Sequence, residues 1–323
     1  MPLSDAQGRS ITYLRLSLTD RCNFRCSYCA PLGAEHHEDP LSLPEVARLV
    51  TIFAGLGVRR VRLTGGEPTL RRDLVHIVAA VGATPGIEEI ALTTNGQALA
   101  ELAAPLRQAG VSRVNVSLDT LDPERLHRLS GRAASLDRIL AGIRAAGQAG
   151  FASIKLNVVV VRGVNDDELG DLARFGWSAG AVVRFIELMP FGEGAPVPMA
   201  EVKERLEAQG IRLTPDASRG WGPAYHMRGA SEVGGAPASG LLGFIGAMTE
   251  NFCEGCNRVR VAADGSLRAC LGGRDRLELK PLLRAGAPDE EIAARIRAAL
   301  ALKGERHDMG RGPPLPPMVG TGG

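Results

Sequence analysis

Six of the 323 residues are cysteines, and they fall in two groups of three. Cys22, Cys26 and Cys29 follow CxxxCxxC within "SLTDRCNFRCSYCAP"; Cys253 and Cys256 form CxxC, with Cys270 further along the chain. Thiolates are soft ligands suited to zinc or to iron-sulfur clusters. A structural zinc ion normally takes four protein ligands, and each group here brings three. A [4Fe-4S] cluster held by three thiolates keeps one iron open to a small molecule. The alternative for the first group is a zinc knuckle completed by His36, His37 or a remote side chain. For the second it is a zinc site completed by His226 or His307.

Other residues could do chemistry beside these thiols. In "CEGCNRVRV", Arg258 and Arg260 lie two apart, so in a strand they share a face and could receive phosphates beside a metal centre. In "RLTGGEPTLR", Gly65 and Gly66 let the backbone approach a ligand closely. The formal charge of +2 does not advertise a nucleic-acid or membrane-surface partner and directs attention to arginines grouped around a phosphate-bearing small molecule. The first ten residues carry no basic-then-apolar leader, and no stretch approaches the roughly 20 apolar residues of a membrane span. A cytoplasmic protein is expected, and in that reducing compartment the cysteines are read as metal ligands or redox groups rather than disulfides.

From Tyr13 to about Leu213, short β-branched runs alternate with amphipathic helical stretches, the pattern of β-α units around a parallel sheet. Six strands are expected, near 13–18, 58–63, 87–92, 111–118, 154–161 and 182–188. Ser42 and Glu45 form a capping box, Asp122 before Pro123 starts a further helix, and 289–302 forms another. The distinctive polar residues fall just after the strands, on the rim where parallel barrels assemble their chemistry. The expected fold is α/β, a partial (β/α)6 TIM-like barrel over residues 1–215 with a C-terminal auxiliary-cluster region over 216–323. In that second region 218–246 is glycine-rich, and Asp264-Gly265 marks a hairpin turn. By composition, the proline- and glycine-rich residues 311–323 read as a disordered end.

CNFRCSYC resembles the CxxxCxΦC signature of the radical S-adenosylmethionine enzymes, with Tyr28 as the aromatic Φ, and GGEP resembles that family's second mark. The whole chain resembles one family among them, the GTP 3',8-cyclases of molybdenum cofactor (molybdopterin) biosynthesis. The matching segments, in order, are "YLRLSLTDRCNFRCSYC", "LTGGEP", "LTTNG", "VNVSLDTL", "RFIELMP", "GFIGAMTENFCEGCNRVRV" and the terminal Gly-Gly. The resemblance implies two [4Fe-4S] clusters, one on Cys22, Cys26 and Cys29 and one on Cys253, Cys256 and Cys270. It implies that Tyr28, Gly66, Ser117 and Met189 contact S-adenosyl-L-methionine. It further implies that Arg15, Arg62, Thr93, Lys155, Arg184, Arg258 and Arg260 bind GTP, and that Gly322-Gly323 reaches back toward the site. The implied reaction starts with an adenosyl radical taking the ribose 3' hydrogen and ends with that carbon bonded to C8 of the same guanine. The product would pass to cyclic pyranopterin monophosphate synthase, and the enzyme would be a homodimer; the sequence says nothing of the electron donor.

Each assignment has a plainer counterpart. Arg15 and Lys155 lie in strand patterns and could face solvent, although a charge inside a barrel must be paired. The hydroxyls of Thr93 and Ser117 could bond nearby backbone instead. Met189 reads as a core residue by composition, and only the match of "IELMP" makes it a ligand contact. The segment "APLGAEHHEDPLSLPEV" is shorter than the family leads one to expect and has Ala30 where methionine usually follows the third cysteine. Two rivals stay open: a radical enzyme with an auxiliary cluster acting on another substrate such as a peptide, and a non-catalytic zinc-binding module.

Overall fold

The computed structural model describes residues 2–29, 39–131, 134–218, 222–232, 237–310 and 318–320. Ala30, His36, His37 and Gly322-Gly323 lie outside the described residues. The six expected strands are present as β1 (Tyr13–Ser17), β2 (Arg60–Thr64), β3 (Glu89–Thr94), β4 (Val111–Ser117), β5 (Ser153–Val160) and β6 (Val182–Glu187). Each pairs with the next in parallel. The helices α1 (Leu43–Gly55), α2 (Leu74–Gly82), α3 (Leu99–Ala109), α4 (Pro123–Ser130), α5 (Leu136–Gln148) and α6 (Leu169–Ser178) make the returns. The caps form as the sequence predicts: Ser42 and Glu45 cap α1 reciprocally, and Asp122 accepts from the Glu124 and Arg125 amides at the start of α4.

Period-two alternation divides these strands between two environments. On β5, Ile154, Leu156, Val158 and Val160 join the core shared with the helices, while Lys155 and Asn157 take the other face. On β4, Val114 and Val116 do the same opposite Asn115. Fully burying each such aliphatic side chain stabilises the fold by about 1.5–3 kcal/mol, so the outer face of the sheet supplies the cohesion. That leaves the inner face free to be polar.

The C-terminal region widens the sheet on both edges. After α7 (Met199–Ala208) come β7 (Arg212–Pro215), β8 (Tyr225–Ser231), β9 (Ala238–Ile245), β10 (Arg258–Val261), β11 (Ser266–Arg268) and β12 (Leu277–Glu278), then α8 (Lys280–Arg284) and α9 (Asp289–Ala301). β9 adds parallel to β6 at one edge, and β10 adds parallel to β1 at the other. The twelve strands form one sheet in the order β12-β11-β10-β1-β2-β3-β4-β5-β6-β9-β8-β7. The β10–β11 hairpin turns at Asp264-Gly265, where Gly265 has φ +79°.

Within the glycine-rich stretch, Tyr225–Ser231 and Ala238–Ile245 are therefore strands. Gly229 on β8 and Gly240 on β9 lie beneath the Trp177 ring of α6, which occupies the place their side chains would take. Three residues of the tail differ from the expectation too, the others lying outside the described residues. Met318–Gly320 forms a buried turn whose Gly320 carbonyl accepts from the Ala263 amide at 3.0 Å, so apolar Met318 and Val319 override the local composition. No described helix is long and apolar enough to cross a membrane. Gly240→Ala would drive a methyl into the Trp177 ring, and urea unfolding should show a loss of about 1–3 kcal/mol. An unchanged midpoint would mean the ring does not pack there.

Candidate active site between two cysteine groups

The loop carrying Cys22, Cys26 and Cys29 leaves the C-terminal end of β1 and is laid against the loop leaving β2. The Gly66 amide donates to the Thr19 carbonyl at 2.7 Å, and the Glu67 amide donates to the Arg21 carbonyl at 2.8 Å. A Cβ on Gly65 or Gly66 would strike the backbone of Thr19 or Arg21, and Gly65 has φ +141°, so both positions need glycine. Buried Glu67 then ties in the third loop. It accepts from the Thr69 amide and hydroxyl at 3.0 and 2.6 Å, from the Thr94 hydroxyl at 2.8 Å and from the Asn95 amide at 2.7 Å. Asn95 in turn donates to Asn23, between the cysteines, at 2.7 Å. Burial pushes the Glu67 carboxyl above its usual range, and this crowd of donors opposes that rise.

Burial pushes the Cys22 thiol up to about 11 and the Cys29 thiol up to about 12; Cys26 is also raised. Metal binding must displace these protons, which is how soft-metal loading and loop ordering become coupled. The Tyr28 hydroxyl donates to buried Asp119 at 2.5 Å, and Asp119 also accepts from the Val159 amide at 2.8 Å. Burial pushes the Asp119 carboxyl up to about 6 against those two bonds. The tyrosine side chain thereby fixes the cysteine loop to the ends of β4 and β5.

Inside the partial barrel lies a cavity of about 140 Å³ that opens to a wider cleft. Arg15, Arg62, Arg184, Arg258 and Arg260 line it, and no carboxylate does so among the described residues. The register explains the grouping, since Arg15 stands opposite Arg62 on one side and Arg260 on the other. Polar neighbours aim two of the guanidiniums. Arg62 donates to the Tyr13 hydroxyl at 2.6 Å and to the Thr93 hydroxyl at 3.1 Å, and Arg184 donates through two nitrogens to Asn157 Oδ1 at 2.9 and 2.5 Å. Arg258 lies over the Phe252 ring, 4.8 Å from its centre.

Burial, reinforced by Arg260 and Arg62, pushes Arg15 well below its usual value. Burial and then Arg62 bring Arg184 down to about 9, while burial and then Arg258 bring Arg260 down to about 10. Lys155 falls to about 7, through burial first and then Arg184, Arg62 and Arg113. Asn115, also on the wall, has its Oδ1 buried without a hydrogen-bond partner. The cavity is thus built to take an anion that also carries a hydrogen-bond donor.

Cys253, Cys256 and Cys270 line the same cavity. Arg9 fixes their loop by donating to the Cys253 carbonyl at 2.8 Å and to the carbonyls of Gly304 and Glu305. Burial raises the Cys256 thiol, but Arg258 and Lys303 outweigh it and bring it down to about 7. Both histidines raised as zinc ligands bond backbone groups. His307 bonds the Ala247 carbonyl at 2.7 Å and accepts from the Met309 amide at 3.3 Å, while His226 bonds the Ser218 carbonyl at 2.9 Å. Among the described residues no three acidic, histidine or cysteine side chains are gathered for a single metal ion. Two sets of three thiols fit clusters in which each thiolate has its own iron.

Residues 16–176 match the Radical SAM superfamily, and residues 181–309 match Molybdenum Cofactor Synthesis C. The GTP 3',8-cyclase of Moorella thermoacetica is 45% identical over 319 residues, which covers 96% of each chain. That of Heliobacterium modesticaldum is 45% identical over 316 residues, covering 94% of each. This chain belongs to the GTP 3',8-cyclase family. The crystal structure of Streptococcus suis SuiB bound to S-adenosylmethionine shares the fold, with a TM-score of 0.60 at 16% identity, covering 89% of this chain and 68% of that one.

Of the residues the family implies, the structure brings Arg15, Arg62, Arg184, Met189, Arg258, Arg260 and the second cysteine group to one cavity. Thr93 and Lys155 do not line it: Thr93 holds Arg62, and Lys155 lies close enough for the charges of Arg184 and Arg62 to act on it. Ser117 stands opposite Asn157 on the neighbouring strand. Tyr28, Gly66 and the first cysteine group occupy the rim. An apolar cluster of Phe191 and Met318 joins the two sites, with Cys29, Met189, Leu271 and Met309 packed against it. Sequence reasoning missed Asn115 and Asn157, although their alternation with Ser117 and Lys155 could have revealed them. Arg9 and Lys303 carry no local signal.

Two outcomes follow from this geometry. Glu67→Gln puts an amide where donors converge, so stability should fall by about 1–3 kcal/mol and iron at the first group should drop, read by unfolding and iron content. Lys155 titrates near 7 folded against about 10.4 in an unfolded chain. The unfolded chain binds more protons between those values, so ligand-free stability should rise with pH across that window. Lys155→Met should flatten the rise; an identical slope in denaturant titrations would refute the assignment.

Proposed function

We propose that this protein is a radical S-adenosylmethionine GTP 3',8-cyclase, converting GTP to 3',8-cyclo-7,8-dihydroguanosine 5'-triphosphate in the first step of molybdopterin formation. The observation that carries the reading is the cavity lined by five arginines and no described carboxylate, with three thiols in its wall. Arg15, Arg62, Arg184, Arg258 and Arg260 hold the triphosphate, with Thr93 orienting Arg62 and Lys155 adding charge from behind. Cys253, Cys256 and Cys270 would hold a [4Fe-4S] cluster, which would supply a Lewis-acidic iron for the guanine base. Cys22, Cys26 and Cys29 hold a second such cluster, with Tyr28, Gly66, Ser117 and Met189 around S-adenosylmethionine. When bound, that cluster and S-adenosylmethionine supply a 5'-deoxyadenosyl radical able to take hydrogen from the ribose 3' carbon.

The chain's own residues do the rest by position. Phosphate and base are gripped at separate points, so the ribose carbon and C8 of one nucleotide are held together, and an intramolecular reaction in good alignment gains several orders of magnitude. The apolar cluster of Phe191, Met189 and Met318 excludes water between the two sites. Residues 1–215 serve the first cluster and 216–323 the second. That the protein is a cytoplasmic lyase, acts as a homodimer and hands its product to cyclic pyranopterin monophosphate synthase rests on the family alone.

The test is anaerobic reconstitution with iron and sulfide, then reductant and S-adenosylmethionine, with 5'-deoxyadenosine measured with and without GTP. Formation that requires GTP is expected. Formation indifferent to GTP discards the substrate, and a zinc-loaded, iron-free protein discards the chemistry. In the Arg258→Ala and Arg260→Ala variants, iron at the first group should stay normal. GTP affinity should drop roughly ten- to a hundredfold for each, the worth of a charge-assisted hydrogen bond. Wild-type affinity in both would remove these arginines from the site.

A further inference from the structure

Lys303, two residues beyond α9, is 4% exposed. Its Nζ donates to Cys256 Sγ at 3.4 Å and to the Arg258 carbonyl at 2.8 Å. No carboxylate of the described residues forms an ion pair with it; the nearby acid, Asp5, is taken by the Arg9 guanidinium at 2.6 Å. A buried ammonium needs an anion, because leaving a charge unpaired in the interior costs several kcal/mol. The sulfur its Nζ reaches is that of Cys256.

We propose that Lys303 is a positioning residue for the second cluster, orienting Cys256 through its hydrogen bond and setting the cluster's reduction potential. This rests on the reading of Cys253, Cys256 and Cys270 as cluster ligands. Hydrogen bonds to the ligand sulfurs and nearby charge are the protein's levers on such a potential. A cation in contact with one thiolate favours the electron-richer state, so it makes reduction easier. The same Nζ holds the backbone of Arg258, so the arginine that grips phosphate and the thiolate that grips iron are fixed by one group. Lys303 does not line the arginine cavity, and its effect passes through these two neighbours.

The experiment uses the full chain with Cys22, Cys26 and Cys29 changed to alanine, so that only the second cluster assembles. Its midpoint potential is measured by redox titration followed by electron paramagnetic resonance, with Lys303 intact and as Lys303→Met and Lys303→Arg. Failure of the Lys303-intact protein to hold iron would refute the cluster reading itself. If iron is held, the potential should move to more negative values in Lys303→Met and stay near the parent's in Lys303→Arg. Loss of the cluster in Lys303→Met that Lys303→Arg restores, with circular dichroism unchanged, carries the same conclusion. An assembled cluster at the parent potential in Lys303→Met overturns it, as does a loss that Lys303→Arg does not restore.

Discussion

Like charges held face to face are the constraint on which this structure turns. Arg15 stands in register between Arg62 and Arg260, on strands spaced as hydrogen-bonded neighbours must be. Cations directly opposite one another destabilise a sheet. The lowered proton affinities of Arg15, Arg184, Arg260 and Lys155 come first from burial and then from neighbouring cations. What holds the wall together is its other face, where Leu14, Leu16, Val61, Leu63, Val114, Val116, Leu156 and Val158 lie in the core beneath the helices. An anion that enters relieves the repulsion, so its binding free energy appears also as stability of the fold.

The rim obeys a different rule. There the loops after β1 and β2 touch backbone to backbone, and Gly65 and Gly66 are dictated by that contact as much as by any ligand. Glu67 closes the arrangement with four hydrogen bonds and reaches the cysteine loop through Asn95 and Asn23. These protein–protein bonds tie the described parts of three loops from three strands together, which reduces the ordering cost of binding a cofactor.

Much of this was legible in the residues. The six strands sit within about two residues of their expected places because β-branched runs with polar residues at their ends leave little ambiguity. Both cysteine groups and the Arg258–Arg260 pair were visible from spacing alone. β8 and β9 were not, because their glycines are chosen by the Trp177 ring, a partner distant in sequence. The docking of Met318–Gly320 was hidden in the same way, as were Arg9 and Lys303, whose work is defined by carbonyls and a thiol far along the chain. Local pattern announces elements, and long-range contact decides which polar residue serves a site.

The pairing of β10 with β1 joins strands that begin 245 residues apart, Tyr13 facing Arg258. The edge of the sheet that carries Arg258 and Arg260 is therefore closed only after the rest of the barrel has been synthesised. Closing so long a loop is slow relative to forming neighbouring β-α units. A chain that stops before β10 holds every residue that hydrogen-bonds the first cysteine loop, while still lacking two of the five cavity arginines. Connectivity thus makes possession of a complete substrate pocket a sign that the whole polypeptide has been made.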